Sequence, residues 1–181
     1  MPIRPIMCAA MLWAATMPAQ AQAREAFIGG YVHEVETPLT LRTGESGADI
    51  AGGVRFDPIE ALGAVGKPAP YVIASVNTAG DTSFAGAGLA WTIGKGPVYV
   101  RPAVALVVHD GPLARFDPVT GRGTGLGSRV LFEPEVGVGY RFSRRFSAEA
   151  SWMHISHARL FNARQNPGID MIGVRFNLRM R

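Results

Sequence analysis

The chain has 181 residues, 22 of them glycine, and a formal net charge of +4 carried almost wholly by arginine rather than lysine. Beyond residue 23 it has no apolar run of about 18 residues, which excludes a transmembrane helix. Apolar and polar residues instead alternate over long stretches, the pattern of strands with two unlike faces.

Arg4 supplies a positive start, Ile6 to Met17 is a short apolar run, and Ala21 and Ala23 form an A-x-A arrangement suited to a signal peptidase. Residues 1–23 are therefore expected to be a secretory signal peptide, and residues 24–181 a single domain. The only cysteine, Cys8, falls inside that leader, so the mature chain is expected to carry no disulfide, no catalytic thiol and no Cys-ligated metal.

The segments 26–36, 48–57, 70–77, 82–94 and 97–109 alternate loosely and read as strands. The clearest strand is 129–142. Val130, Phe132, Val136, Val138, Tyr140 and Phe142 share one face; Arg129, Glu133, Glu135, Gly137, Gly139 and Arg141 share the other. After the turn at 143–144, Phe146, Ala148, Ala150 and Trp152 line one face of a strand over 146–156. A last strand from about Gly168 carries Ile172, Val174, Phe176 and Leu178 on one face and Arg175, Asn177 and Arg179 on the other.

These segments make about eight strands, the smallest common number for an outer-membrane barrel. Of the connections after odd strands, 37–47, 78–81, 110–127 and 157–167, most are long, whereas 95–96 and 143–144, after even strands, are tight turns. Bacterial barrels have this asymmetry, with long external loops and short periplasmic turns. The connection 58–69 departs from it. Gly86 and Gly88 at inward positions suit a narrow, filled interior. Phe176 resembles the terminal aromatic of outer-membrane proteins, although the chain runs on to Arg181.

A secreted soluble sandwich or lipocalin-like barrel would turn its apolar face inward. Here the polar face carries Glu133 and Glu135 between Arg129 and Arg141, and the apolar face carries Trp91, Phe146 and Trp152 near strand ends, as an interfacial girdle would. The expected fold is thus all-β, an eight-stranded antiparallel outer-membrane β-barrel.

The chemistry lies on the last hairpin. His154 and Ser156 share one face of a strand, their Cα atoms roughly 7 Å apart, and Asp170 stands at matching depth on the next strand. A nucleophile, a base and a carboxylate to orient the base are what acyl transfer needs. By parity all three face outward toward lipid at the external end, where polar groups are costly unless they form a network. A polar cap at the membrane edge, followed by a turn at Asn166-Pro-Gly, accounts for the same residues without catalysis.

The segment His154-Ile-Ser156-His157-Ala158, followed by Asn166-Pro-Gly-Ile-Asp170, resembles the signature of the outer-membrane lipid A 3-O-deacylases, the PagL family. The resemblance is concentrated over 152–174. It implies an eight-stranded barrel that hydrolyses an ester-linked acyl chain of lipid A, with no metal or cofactor. It maps the nucleophile onto Ser156, the base onto His154 and the orienting acid, usually Glu in the family, onto Asp170. The family usually has Asn after the nucleophile, where it helps bind the oxyanion; this chain has His157. Oxyanion donors are then sought in the N–H of Ala158, the side chain of His157, and Asn162 or Asn166. Arg159 and Arg164 in the last loop are candidates for contacting the phosphates of an anionic glycolipid, or are simply a solvated loop. His33 and His109 read as isolated strand-end residues.

The partners expected are lipopolysaccharide, through its lipid A, and outer-membrane lipid. Nucleic acid is not expected, because no phosphate loop or aromatic–basic groove motif is present. Monomer and homodimer both stay open. A non-catalytic barrel for adhesion or envelope integrity, and a soluble lipid-binding barrel, remain the alternatives; the first would not need Ser156 and the second would not fractionate with membranes.

Overall fold

A computed structural model describes residues 23–37, 40–119, 121–160 and 166–180. Residues 1–22 of the expected leader (1–23), together with Asn162 and Arg164, lie outside the described residues. The strands are β1 (Ala23–Val32), β2 (Ala48–Phe56), β3 (Ala69–Asn77), β4 (Phe84–Ala90), β5 (Val98–His109), β6 (Phe116–Asp117), β7 (Arg122–Gly123), β8 (Val130–Arg141), β9 (Phe146–Ser156) and β10 (Gly168–Arg179). All but β6 and β7 close into one antiparallel barrel in the order β1-β10-β9-β8-β5-β4-β3-β2. The short β6–β7 ribbon sits within the long connection from β5 to β8. The chain is therefore the expected eight-stranded outer-membrane-type barrel.

Alternation explains the closure. On β8, Val130, Val136, Val138 and Tyr140 are exposed, while Leu131, Glu133, Glu135, Gly137 and Gly139 point inward and are buried. Glycines at inward positions make room for large neighbours. Gly139 pairs with Tyr99 across β5–β8, and a Cβ there would lie 2.2 Å from the Tyr99 ring. The end of the Tyr99 ring therefore takes the space a side chain at 139 would need.

The interior is layered. Glu25, Arg55, Arg101, Glu149, Arg175 and Asn177 form a charged layer toward the end with the tight turns. Val107, Leu131, Met153, Ile155, Ile169 and Met171 form an apolar plug nearer the long loops. Buried charge is tolerated in the lower layer because each ion has partners. Arg101 Nη1 lies 2.7 Å from Glu25 and 2.6 Å from Glu149, Arg55 donates to Glu25 and to Asn177, and Arg175 pairs with Glu135. Tyr71 and Tyr99 donate to Glu133 and Glu149 at 2.6 and 2.8 Å.

The boundaries differ from expectation in three places. The first strand ends at Val32 rather than continuing to 36, because Glu34 takes a positive φ of 53° and breaks the extended backbone, while the His33 and Glu34 side chains turn to carboxylates and to the loop. The fourth stops at Ala90, beyond which a single bridge pairs Ile93 with Val100. The long connection after β2 folds on itself as a 3-10 helix (Glu60–Val65), closed by Ile59 N–H on Pro68 O at 2.9 Å and held by the Trp91 indole N–H on Val65 O at 2.7 Å. Trp91 thus anchors a turn as well as standing at a strand end.

Candidate active site

The β9–β10 register sets Asp170 directly opposite His154 and Gly168 opposite Ser156. In an antiparallel pair such partners lie side by side on one face. His154 accordingly bridges the other two: its Nδ1 lies 3.0 Å from Asp170 Oδ1 and its Nε2 2.9 Å from Ser156 Oγ. An ionised carboxylate only accepts, so Nδ1 carries the proton and Nε2 is left to accept from the serine hydroxyl. Gly168 leaves the space the ring needs. A Cβ there would lie 2.7 Å from His154 Cε1 and 2.8 Å from Ile155 O.

Asp170 keeps the outward parity expected of it, but it does not lie open to lipid. It is 1% exposed. Residues 33–37 and 40–47 of the first outer loop fold over it, and this is how a carboxylate survives on the outside of a barrel. Val35 N–H donates to the Asp170 carbonyl at 2.8 Å, and Gly168 N–H donates to Leu41 O at 3.3 Å, so the loop backbone flanks the residue on both sides. From the loop, Thr37 Oγ1 donates to Asp170 Oδ2 at 2.7 Å, and Thr40 Oγ1 donates to the same oxygen. Trp152 Nε1 donates to Oδ1 at 3.0 Å, its ring stacked on His154 with centroids 6.1 Å apart. His154 is only partly buried and Ser156 is 4% exposed.

Two donors approach the serine from the other side. Ala158 N–H lies 3.4 Å from Ser156 Oγ and the Asn166 side-chain amide 3.3 Å. Ala158 and Arg159 both take positive φ, 51° and 61°, a turn that L-residues adopt at a cost. That turn aims the Ala158 N–H back at Ser156. Asn166 also accepts from Arg159 N–H at 3.4 Å, which ties the two ends of the loop together. His157, the other oxyanion candidate, is fully buried on the opposite side of the strand. A Cβ at Gly127 would meet its Nε2 at 3.2 Å. The structure brings Ala158 and Asn166 to the serine and turns the His157 ring toward Gly127. Arg159 is exposed at the rim.

Sequence reasoning missed three residues here. Trp152 was expected only as a girdle aromatic, and Thr37 and Thr40 carried no signal at all, lying far from Asp170 in sequence. His33 is also not isolated. Its Nδ1 lies 2.7 Å from Asp49 and its Nε2 3.1 Å from Glu45, both carboxylates buried. Burial alone would push this imidazole down, but the hydrogen bonds to Asp49 and Glu45 outweigh it and lift it to about 9. Burial likewise opposes ionisation of Glu45, yet bonds from His33 and Thr82 hold its carboxyl below the ordinary value. His109 donates to the Ser128 carbonyl at 2.7 Å.

Comparison with known proteins adds to this geometry. A family model described as lipid A 3-O-deacylase (PagL) matches residues 35–179. No curated protein matches by sequence. Among solved structures, the crystal structure of the outer membrane enzyme PagL superposes with a TM-score of 0.57 at 16% identity, covering 88% of this chain and 100% of that one. The N-terminal β-barrel domain of Pseudomonas aeruginosa OprF superposes with a TM-score of 0.51 at 10% identity, covering 88% and 100%. At these identities the superpositions establish the barrel fold; the family model establishes kinship.

Proposed function

The chain belongs to the lipid A 3-O-deacylase family, an outer-membrane enzyme acting on ester bonds of lipid A, and from that premise we propose that Ser156, His154 and Asp170 carry the reaction. The observation that supports this reading is the unbroken run Asp170–His154–Ser156, at 3.0 and 2.9 Å, on the outward face of the last hairpin. An ester at the head-group boundary of the outer leaflet reaches such a face without entering the filled lumen.

In this mechanism His154 Nε2 takes the Ser156 proton as Oγ attacks the ester carbonyl, and Asp170 holds the imidazole in the tautomer that permits it. The developing oxyanion lies beside Ala158 N–H and the Asn166 amide, the two donors that already reach toward Oγ. His154 then returns its proton to the departing sugar oxygen, which leaves an acyl-serine. Water, deprotonated by the same imidazole, attacks that acyl-serine, releases the fatty acid and restores Ser156. We assign the 3-O position from the family description alone, and Arg159 at the rim as a contact for an acidic head group.

Ser156→Ala is expected to abolish acyl release while the barrel still forms, since one hydroxyl contributes little to the fold and a covalent route has no substitute for it. Mass spectrometry of lipid A from cells bearing wild type, Ser156→Ala or neither reads this directly. An undiminished deacylated species with Ser156→Ala removes the serine mechanism.

A further inference from the structure

We propose that Thr37 and Thr40, on the first outer loop, are positioning residues that fix the Asp170 carboxylate against His154, so that the catalytic group is completed by a strap from the opposite end of the chain. The inference rests on the triad reading above.

The carboxylate is met on both oxygens. Oδ1 accepts from His154 Nδ1 and Trp152 Nε1, each at 3.0 Å; Oδ2 accepts from Thr37 Oγ1 at 2.7 Å and from Thr40 Oγ1. With Oδ2 anchored, rotation about the carboxylate axis is blocked and Oδ1 stays aimed at the imidazole. Charged acceptors make the stronger and shorter hydrogen bonds, so these hydroxyls hold more firmly than neutral pairs would. An Asp is one methylene shorter than the Glu usual in this family, and its carboxylate sits nearer its own backbone. The strap supplies donors at that depth.

The strap itself is fixed at several points. Val35 N–H and Leu41 O bond β10 on either side of Asp170. Its far end is held by Glu34, which accepts from Thr43 Oγ1 at 2.8 Å and Gly44 N–H at 2.9 Å, and by Arg115 Nη1 on Thr43 O at 3.1 Å. The His33–Glu45–Asp49 cluster pins its two roots together. Thr37 and Thr40 each lie next to such an anchored stretch, and hydroxyls held at fixed positions are what orientation of a catalytic group demands.

The test is steady-state acyl release from purified lipid A in detergent micelles by wild type, Thr37→Val/Thr40→Val, Thr37→Ser/Thr40→Ser and Ser156→Ala. Valine keeps the shape and removes the donors; serine keeps the donors. We expect the double valine to lose about 10- to 100-fold in kcat with KM within about threefold, and the double serine to stay within about threefold of wild type in both. A role confined to folding or substrate capture would instead raise KM or reduce the folded fraction. If the double valine does not yield a compact barrel, Thr37→Val alone is judged by the same split. A double valine with wild-type kcat, or a double serine as impaired as the double valine, overturns the proposal. Activity in Ser156→Ala overturns the triad and this inference with it. An inactive Ser156→Ala beside a fully active double valine removes the strap's role alone.

Discussion

Gly168 is the residue on which the site's geometry turns. It stands directly opposite Ser156 in the ladder, and His154 leans over the space its missing side chain leaves. Gly168→Ala would set a methyl 2.7 Å from His154 Cε1 and 2.8 Å from a backbone oxygen that cannot step aside. The imidazole must then tilt away from Ser156 or Asp170. Because a misplacement of about 1 Å can cost roughly 100-fold, kcat should fall by about 10- to 100-fold in a barrel that still forms. Deacylation kinetics at the wild-type rate in Gly168→Ala would mean that the ring is not held by this wall. At this scale the grouping of His154, Ser156 and Asp170, which we propose as the catalytic trio, was readable in the sequence. A period of two and one hairpin register suffice to place His154, Ser156 and Asp170 on one face. The donors to Asp170 were not readable. Thr37 and Thr40 reach it through tertiary folding alone, and Trp152 looked like any girdle aromatic because its indole N–H partner lies on another strand.

The element that decides whether the site is closed is the loop 33–47. At its roots a buried imidazolium sits between two carboxylates, an arrangement whose strength depends on pH. His33 is lifted from 6.5 to about 9, so its stabilising contribution is complete below about 6.5 and is lost as pH rises through about 9. Glu45 is held below its ordinary 4.5, so its contribution is present above that value and fades as pH falls further. The loop roots are therefore firmest between about 4.5 and 6.5. Thermal unfolding in micelles should show His33→Gln most destabilised relative to wild type at pH 6, with the gap closing by pH 10. A gap that is constant with pH would show that His33 is not charged in the folded protein. This cluster escaped sequence reading because its members come from a strand end, a returning loop and the next strand. The same holds for the end of β1: positions 33–36 continue an alternating pattern, but Glu34 takes a positive φ of 53° that alternation does not reveal, and the strand stops.

Across the whole molecule, alternation made the barrel legible and left the depth of its interior layers undetermined. The exposed face of Ile28, Leu106, Val138, Val174 and Phe176 meets lipid, and the inward face carries enough charge to rule out a soluble sandwich packed on that side. Sequence placed Glu133 and Glu135 inside but could not name their partners, since those partners are set by which strands the closed sheet brings across the lumen. Arg175 is the critical one. It is fully buried, pairs with Glu135, donates to Ser151 Oγ at 2.9 Å and stacks over Phe27 with its guanidinium carbon 4.8 Å from the ring centre. Arg175→Met keeps most of the volume and strands Glu135 with only the Ser151 hydroxyl, whereas Glu149 retains Arg101 at 2.6 Å. Breaking a buried pair by removing one ion costs about 3–5 kcal/mol, while removing both charges is often nearly neutral. Arg175→Met should thus lower the unfolding temperature in micelles sharply, and Arg175→Met/Glu135→Gln should recover a large part of the loss. Both variants should retain wild-type kcat per folded molecule, because the proposed reacting groups lie on the outer face, away from this layer. If Arg175→Met melts with wild type, the inner charges contribute nothing to the barrel. If the second substitution brings no recovery, the loss lies in packing over Phe27 rather than in a stranded carboxylate.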